Sequence, residues 1–396
     1  MEQPLYKQLY TSILEEIKTG KLKRGDRVPS EKELADQFKV SRITSKKALE
    51  TLVQAGLIER ARGRGSFVSG QLPDLKQAVI SVPDMATTLN TVGNSPDSIQ
   101  PLIGLILEDL SPSYGLRLLK AVEKRCSETN CHLLFKRTYG RRDEEEQAIH
   151  AFQQLNVDGL IVFPVHGDYY NVSLLRLALD AFPMVIVDRY LKRIEACAVY
   201  TDNKRAGQEL TEYLLRKGHQ SIGFVSPPEE NTSTIEERIQ GYSAAFIQHD
   251  LKFDPQHCFT NLYSTLPSSS LSNQIKMGDY QALSDFIVQN PQLTAFIACE
   301  YNIAVILVAV LTSLGKHVPQ DCEVVCFDYP DEGVYPPLFT HILQDETLIG
   351  RQSVDLLLAQ LKGEKVPLHN IVEHKLVENS IEPGQASSVN ELSKAH

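Results

Sequence analysis

The segment Ser30–Leu49, "SEKELADQFKVSRITSKKAL", holds two short helical patterns separated by the break Phe38–Ser41. Ser30 and Glu33 form a capping box for the first pattern, with Leu34, Ala35 and Phe38 turned inward. Ser41 can cap the second, which carries Ala48, Leu49, Leu52 and Val53 toward a core and closes at Gly56. Upstream, Tyr6, Leu9, Tyr10, Ile13 and Ile17 recur at helical spacing, and Gly20 can end that helix. Downstream, "LIERARGRGSFV" (57–68) reads as two short strands around a Gly-Arg-Gly tip. Helix, helix-turn-helix and glycine-tipped hairpin together predict a winged helix.

The second helix of the pair opens on a polar and basic face: Ser41, Arg42, Thr44 and Lys46. Arg42 and Lys46 are four apart and share one side, and Lys32 sits one turn into the preceding helix. A recognition helix needs donors in its first turns, because those turns enter the major groove and approach base edges and phosphates. The tip Arg62-Gly63-Arg64-Gly65 is small and basic, suited to a minor groove. Charge alone is equally well explained by solvated faces of small helices. Its combination with a helix-turn-helix core and a basic glycine tip favours DNA. The formal charge of -10 is no objection, because it is unevenly placed. Residues 1–70 hold 14 Lys and Arg against 9 Asp and Glu, a net of +5, leaving 26 against 41, or -15, for the remainder. A small cationic module on a large acidic one implies that only the first meets a polyanion.

At 396 residues the chain exceeds a single core, and 42% apolar with 23% charged residues is ordinary for a globular protein. From 71 to 100 the sequence contains Pro73, Pro83, Gly93 and Pro96 with little periodicity, and reads as a linker. Beyond Pro101, short apolar runs appear: "LIGLIL", "GLIVF", "MVIV", "SIGFV", "TAFIA" and "EVVCF". Amphipathic stretches lie between them. Strands apolar on both faces, alternating with helices, indicate parallel sheets covered on both sides, and the length implies two α/β lobes. The polar tail 384–396 reads as disordered. No apolar run reaches membrane-spanning length, and the start lacks a secretory pattern. Seven cysteines without a C-x-x-C pair favour free thiols in a reducing cytoplasm. No histidine sits at ligand spacing beside them, so neither a metal nor another cofactor is expected.

Polar groups recur at the carboxyl ends of the apolar runs: Asp109, Asp188-Arg189, Glu300 and Asp328. Ligands of parallel α/β lobes bind at those ends. Carboxylates accept from vicinal hydroxyls, arginine donates to them, and an aromatic ring covers an apolar sugar face. Each charge taken singly is more often a solvated strand end, but their repetition favours a site.

The stretch "VPSEKELADQFKVSRITSKKALETLVQAGLIERARGRGSFV" resembles the DNA-binding domain of GntR-type regulators. The resemblance implies DNA contacts from Lys32, Arg42, Thr44, Lys46 and the wing around Gly63. The lysines at 32 and 46 stand where many members have arginine. Residues 101–383 resemble the effector domain of LacI/GalR regulators and the periplasmic sugar-binding proteins, through "LIGLILEDLSPSYGLRLLKAVE", "VDGLIVFP", "PMVIVDR", "TDNKRAGQELTEYLLRKGHQSIGFV", "ERIQGYSAAF", "EVVCFD" and "ILQDETLIGRQSVDLLL". That resemblance implies a two-lobed, periplasmic-binding-protein-like fold and pocket residues Tyr114, Asp188, Arg189, Arg238, Asp328 and Gln344. Two positions depart from it: "CEYN" replaces the usual Asn-Asp pair, bringing Glu300 or Asn302 into the pocket, and Ser113 stands where relatives are often aromatic. By the same resemblance the lobes exchange chain near Arg189, near His341 and around Pro367. Lobe 1 is then about 101–189 and 340–366, and lobe 2 about 190–339 and 367–383.

The resulting expectation is a cytoplasmic, dimeric transcriptional regulator, most like the arabinose-responsive repressors that join a GntR head to a LacI-type module. A sugar such as arabinose would close the lobes and shift the spacing of two recognition helices on operator DNA, about 34 Å apart. A DNA-binding activator, or a regulator of non-sugar effector, remains an alternative. An enzyme fused to a DNA-binding head is disfavoured: G-x-S-x-G, H-E-x-x-H, P-loop and G-x-G-x-x-G patterns are all missing. His219, the one conceivable base, matches a structural position before a strand.

Overall fold

The computed structural model describes residues 5–40, 42–61, 65–70, 100–167, 170–267, 273–330 and 337–379. The linker and tail therefore lie outside the described residues, apart from Gln100.

The head is built from α1 (Leu5–Lys18), β1 (Arg27–Val28), α2 (Glu31–Phe38), α3 (Arg42–Gln54), β2 (Ile58–Ala61) and β3 (Gly65–Val68). Ser30 and Glu33 form the expected reciprocal capping box on α2. Lys39 takes a left-handed conformation at φ 52°, which turns the chain toward α3. The Ser45 hydroxyl, wholly buried, donates to the Glu31 carbonyl at 2.7 Å and locks the two helices together. Leu9, Ile13 and Ile17 of α1 meet Leu34, Leu49, Leu52, Leu57, Ile58 and Val68 in one core. Strand β3 lies between β1 and β2, antiparallel to both, which makes the wing.

Two α/β lobes follow. The first contains β4 (Leu102–Leu107), α4 (Leu116–Glu128), β5 (His132–Arg137), α5 (Arg142–Gln154), β6 (Gly159–Val162), α6 (Val172–Leu179), β7 (Met184–Val187) and β8 (Cys197–Thr201). The second contains α7 (Asn203–Arg216), β9 (Ile222–Val225), α8 (Ser233–Gln248), β10 (Cys258–Phe259), α9 (Asn273–Gln289), β11 (Ala295–Ala298), α10 (Tyr301–Ser313), β12 (Glu323–Phe327) and β13 (His341–Gln344). The chain ends with α11 (Glu346–Leu361), β14 (His369–Val372) and β15 (His374–Val377). Sheet orders are β5-β4-β6-β7-β8-β14 and β10-β9-β11-β12-β13-β15, parallel throughout except for β15. Strands β6, β7, β9 and β11 are buried at every residue, which is why they read as unbroken apolar runs.

The lobe boundaries differ from the expected ones. The chain does not leave lobe 1 at Arg189: it first adds β8, "CAVYT", which pairs with β7, and crosses only after Thr201. Strand β13 belongs to lobe 2, paired with β12 and β15, so the second crossing follows Gln344 rather than preceding His341. Strand β14 pairs with β8 in lobe 1, so the third crossing falls at Glu373 and not at Pro367. Strands β8 and β13 are inner strands that each add to the sheet of the strand preceding them, whereas β14 is an edge strand fixed by pairing with the distant β8 and, with only Val372 buried, carries no apolar run. The crossings are braced together: Asp202 and Asp345 cap α7 and α11, Arg205 pairs with Glu373 at 3.1 Å, and His374 Nε2 meets Glu209 at 2.9 Å.

Candidate functional site: a cleft between the lobes, and a basic face on the head

Both sheets reverse their strand order beside the first strand of each lobe, between β4 and β6 and between β9 and β11. Such switch points open a crevice at the carboxyl ends of the strands. The two crevices face each other and form a cleft of about 150 Å³, which includes Glu108, Tyr114, Phe163, His166, Asp188, Arg189, Arg238, Glu300, Asn302, Asp328 and Gln344. All eight residues expected in the pocket line it. This volume is below the ~300–1,000 Å³ of drug-sized sites, on the scale of a single small ring.

Lobe 1 contributes a charged wall. Arg189 donates through Nη1 to the Pro164 carbonyl at 2.8 Å and through Nη2 to Glu108 at 3.0 Å, with Asp188 3.7 Å from its Nε. Its guanidinium lies 4.9 Å from the centre of the Phe163 ring, and Tyr114 meets that ring edge-on. Burial pushes the Glu108 carboxyl up, against the lowering effect of Arg189. Glu108 also accepts from the His166 N–H at 3.0 Å and Glu145 from the Val165 N–H at 2.9 Å, so two buried acids fix the loop that carries Phe163. Burial pushes the Tyr114 hydroxyl up, helped by Asp188, Glu346 and Asp328.

Lobe 2 contributes Arg238 from α8. Its Nε donates to Asn203 Oδ1 at 2.8 Å and its Nη1 to the Cys299 carbonyl at 2.7 Å, with the guanidinium 3.8 Å above the Phe327 ring. Close packing of α7 against α8 allows this. A Cβ on Gly241 would lie 2.0 Å from the Lys204 carbonyl, and one on Gly207 would lie 2.4 Å from that of Arg238. Asp328 holds a left-handed backbone at φ 63°, and Gln344 Nε2 donates to both of its oxygens, at 3.1 and 3.0 Å. Burial pushes Asp328 up to about 7, opposed chiefly by Arg238. Burial likewise pushes Glu300 up to about 7.

Ten buried side-chain polar atoms among the described residues have no hydrogen-bond partner. Leaving aside Asp109 Oδ1, which Arg137 meets in an ion pair at 2.9 Å, four of them, Tyr114 Oη, Arg189 Nε, Thr265 Oγ1 and Glu300 Oε1, belong to residues lining this cleft. A buried unsatisfied group costs about 1–3 kcal/mol, so such a concentration marks a surface built to be completed by a ligand. A larger cavity, about 510 Å³, lies outside the hinge beside β13 and β15. Of the unpartnered atoms only His374 Nδ1 belongs to its lining, so it lacks that signature.

The lobes touch at the cleft edge. The Tyr190 hydroxyl donates to Glu237 at 2.8 Å, its N–H to Ser233 Oγ at 3.2 Å, Lys192 pairs with Glu236, and His166 Nδ1 meets Thr232 Oγ1 at 3.1 Å. Burial pushes His166 down to about 3, so it is neutral there. Glu108, Phe163, His166 and Thr265 are cleft residues that sequence reasoning missed. Only the doubled acid in "LILEDL" offered a signal for the first. His219 lies elsewhere: it contacts Thr294 at 2.9 Å and Glu323 at 3.2 Å, with Lys217 on the same carboxylate, at the amino ends of β11 and β12.

On the head, Lys32 and Lys46 are exposed, on α2 and α3 respectively, and Thr44 is half-buried. Lys46 stands 4.0 Å from Glu50, an exposed pair worth at most a few tenths of a kcal/mol and readily exchanged for a phosphate. Gly65 opens β3 at φ 106°, in the region that favours glycine. Ser41, Arg62, Gly63 and Arg64, and the side chain of Arg42 at the start of α3, lie outside the described residues.

Fold and cleft define a DNA-binding regulator with a ligand-binding module. Residues 5–68 match the model of bacterial regulatory proteins of the gntR family, and 211–379 that of the periplasmic binding protein-like domain. The chain thus joins a gntR-type helix-turn-helix domain to a periplasmic-binding-protein-like domain. It is 24% identical over 92% of its length to the arabinose metabolism transcriptional repressor of Geobacillus stearothermophilus, covering 93% of that protein. The corresponding repressor of Halalkalibacterium halodurans is 25% identical over 81% of the chain and 78% of its own. In fold, the transcription regulator CcpA of Lactococcus lactis matches with a TM-score of 0.62, 19% identity, 71% of this chain and 98% of that one. No helix among the described residues is long and apolar enough to cross a membrane.

Proposed function

We propose that the chain is a cytoplasmic, non-enzymatic repressor of carbohydrate-utilisation genes, acting as a homodimer on operator DNA and controlled by a small polyhydroxylated metabolite. Arabinose or a related molecule is the expected effector, as the relatives' names also imply. The observation that carries this reading is the clustering of unpartnered buried polar atoms, two arginines and two aromatic rings in one sugar-sized cleft. Tyr114, Asp188, Arg189, Arg238, Glu300, Asn302, Asp328 and Gln344 contact the effector. Lys32, Ser41, Arg42, Thr44, Lys46 and the wing Arg62-Gly63-Arg64-Gly65 contact DNA. A ligand acts only through unequal affinity for two states, and the contacts of Tyr190, Lys192 and His166 across the cleft are the interactions that differ between open and closed lobes. A thermal-shift screen of pentoses, hexoses, disaccharides and sugar phosphates tests this. Stabilisation by members of one sugar class is expected, and a response confined to purines or amino acids would reject it.

A further inference from the structure

The cleft holds more acid than base. Glu108, Asp109, Asp188, Glu300 and Asp328 line it, against Arg189 and Arg238. Arg137 takes Asp109 at 2.9 Å, and Arg189 takes Glu108, with Asp188 beside it. Arg238 donates its hydrogen bonds to neutral acceptors, Asn203 and the Cys299 carbonyl. Glu300 has no salt bridge, only the Thr265 side chain and the more distant charge of Arg238 favour its ionised form, and its Oε1 is buried without a hydrogen-bond partner. It stands at the N-cap of α10, and its side chain makes no bond to the first-turn N–H groups there.

Like charges also face each other across the cleft. Arg238 favours ionisation of both Glu300 and Asp328 on lobe 2, and against it Glu108 of lobe 1 disfavours ionisation of Glu300 and Asp188 that of Asp328. Closing the lobes brings these charges together in a medium poorer in water, where repulsion is stronger. Hydroxyl groups leave that repulsion in place, whereas a cation on the ligand removes it. An amine on the ligand itself is able to supply that cation.

We propose that the effector is an aminated polyol, sugar-sized and carrying a protonated amine, and that Glu300 is the residue that selects it. The proposal rests on the polyol-effector reading above and narrows it. The hydroxyls engage Asp188, Arg189 and Asp328, Phe163 and Tyr114 cover the ring, and the ammonium meets the unpartnered oxygen of Glu300 beside Thr265. Because Glu300 sits on lobe 2 and Glu108 on lobe 1, the same charge that is recognised also relieves the barrier to closure.

The test is calorimetric titration of the full chain at pH 7 with matched pairs: glucosamine and glucose, galactosamine and galactose, mannosamine and mannose. In at least one pair the amine is expected to bind about tenfold more tightly, a difference of about 1.4 kcal/mol. In Glu300→Gln that ratio is expected to fall to near unity, and Glu300→Asp to restore part of it. The unliganded melting temperature of Glu300→Gln should equal or exceed that of the wild type, because a buried charge is removed while the amide oxygen still accepts from Thr265. Equal or tighter binding of the neutral members, or an amine preference that survives Glu300→Gln, overturns this proposal while leaving the polyol reading standing. Failure of every amine to bind, in a protein that a neutral sugar of the thermal-shift screen does stabilise, overturns this proposal alone, and failure of every pair and of every sugar in that screen overturns both.

Discussion

Replacing Asp328 with asparagine is expected to stabilise the protein and to silence its effector response. Burial raises the carboxyl from the usual 3.8 to about 7, with Glu346 and Asp188 adding to the shift and Arg238 opposing it. A group that holds its proton more tightly when folded makes the folded chain bind extra protons between the two values. Stability therefore falls as pH rises from about 4 to about 7 and is level beyond. Roughly three units at about 1.4 kcal/mol each give a penalty on the order of 4 kcal/mol at pH 8, absent below pH 4. Asparagine tolerates the left-handed backbone at φ 63° and keeps one acceptor for Gln344, losing the other at a cost of about 1 kcal/mol. The net is a gain of about 3 kcal/mol at pH 8 and a loss of about 1 kcal/mol near pH 4. Scanning calorimetry of wild type and variant across that range reads both values, the transition of the two-lobed module being the relevant one. Operator binding with and without effector reads the response. A variant destabilised equally at both pH values, or one that still responds to effector, would refute the reasoning.

Three further outcomes are expected, the first from the helix-turn-helix sequence and the other two from the structure of the lobes. Arg42→Ala is expected to abolish operator binding while leaving the effector's thermal shift intact, measured by fluorescence anisotropy and thermal shift on the same preparation. Gly241→Ala is expected to lower the melting temperature sharply and to weaken effector binding, because its Cβ would overlap the Lys204 carbonyl and push α8, with Arg238, away from the cleft. The destabilisation expected is about 1–3 kcal/mol or more, the scale of overpacking. Tyr190→Phe removes the bond to Glu237 across the lobes, and is expected to weaken effector affinity a few-fold, about 0.5–1.5 kcal/mol. Calorimetric titration checks it, and unchanged affinity would show that this contact does not report closure.

The head was legible in the sequence because its determinants are local. Ser30 and Glu33 cap one helix three residues apart, and Leu34, Leu49 and Leu52 follow helical spacing into one core. The cleft residues Asp188, Arg189 and Asp328 were legible through strand-end position and family resemblance together, and Arg238, on α8, through the resemblance alone. What the sequence hid depends on distant partners. Strand β14, "HNIV", is a strand only because β8 offers its edge, and three of its residues are half-buried or exposed. Glu108 reads as a surface acid until Arg189, 81 residues away, is placed against it. Glu300 was named for its position after a strand, but its unpartnered oxygen and its failure to cap α10 belong to three dimensions alone.

Anisotropy of labelled operator DNA, selected from a random pool by the full chain, tests the central claim most directly. It is to be titrated with wild type and with Asp328→Asn, with and without the ligand found by thermal shift. The expected result is that ligand shifts wild-type affinity about tenfold or more, within the usual range for coupled sites, and leaves the variant unmoved. Ligand-independent operator affinity in the wild type, or an equal shift in both proteins, would contradict control of the head by the cleft.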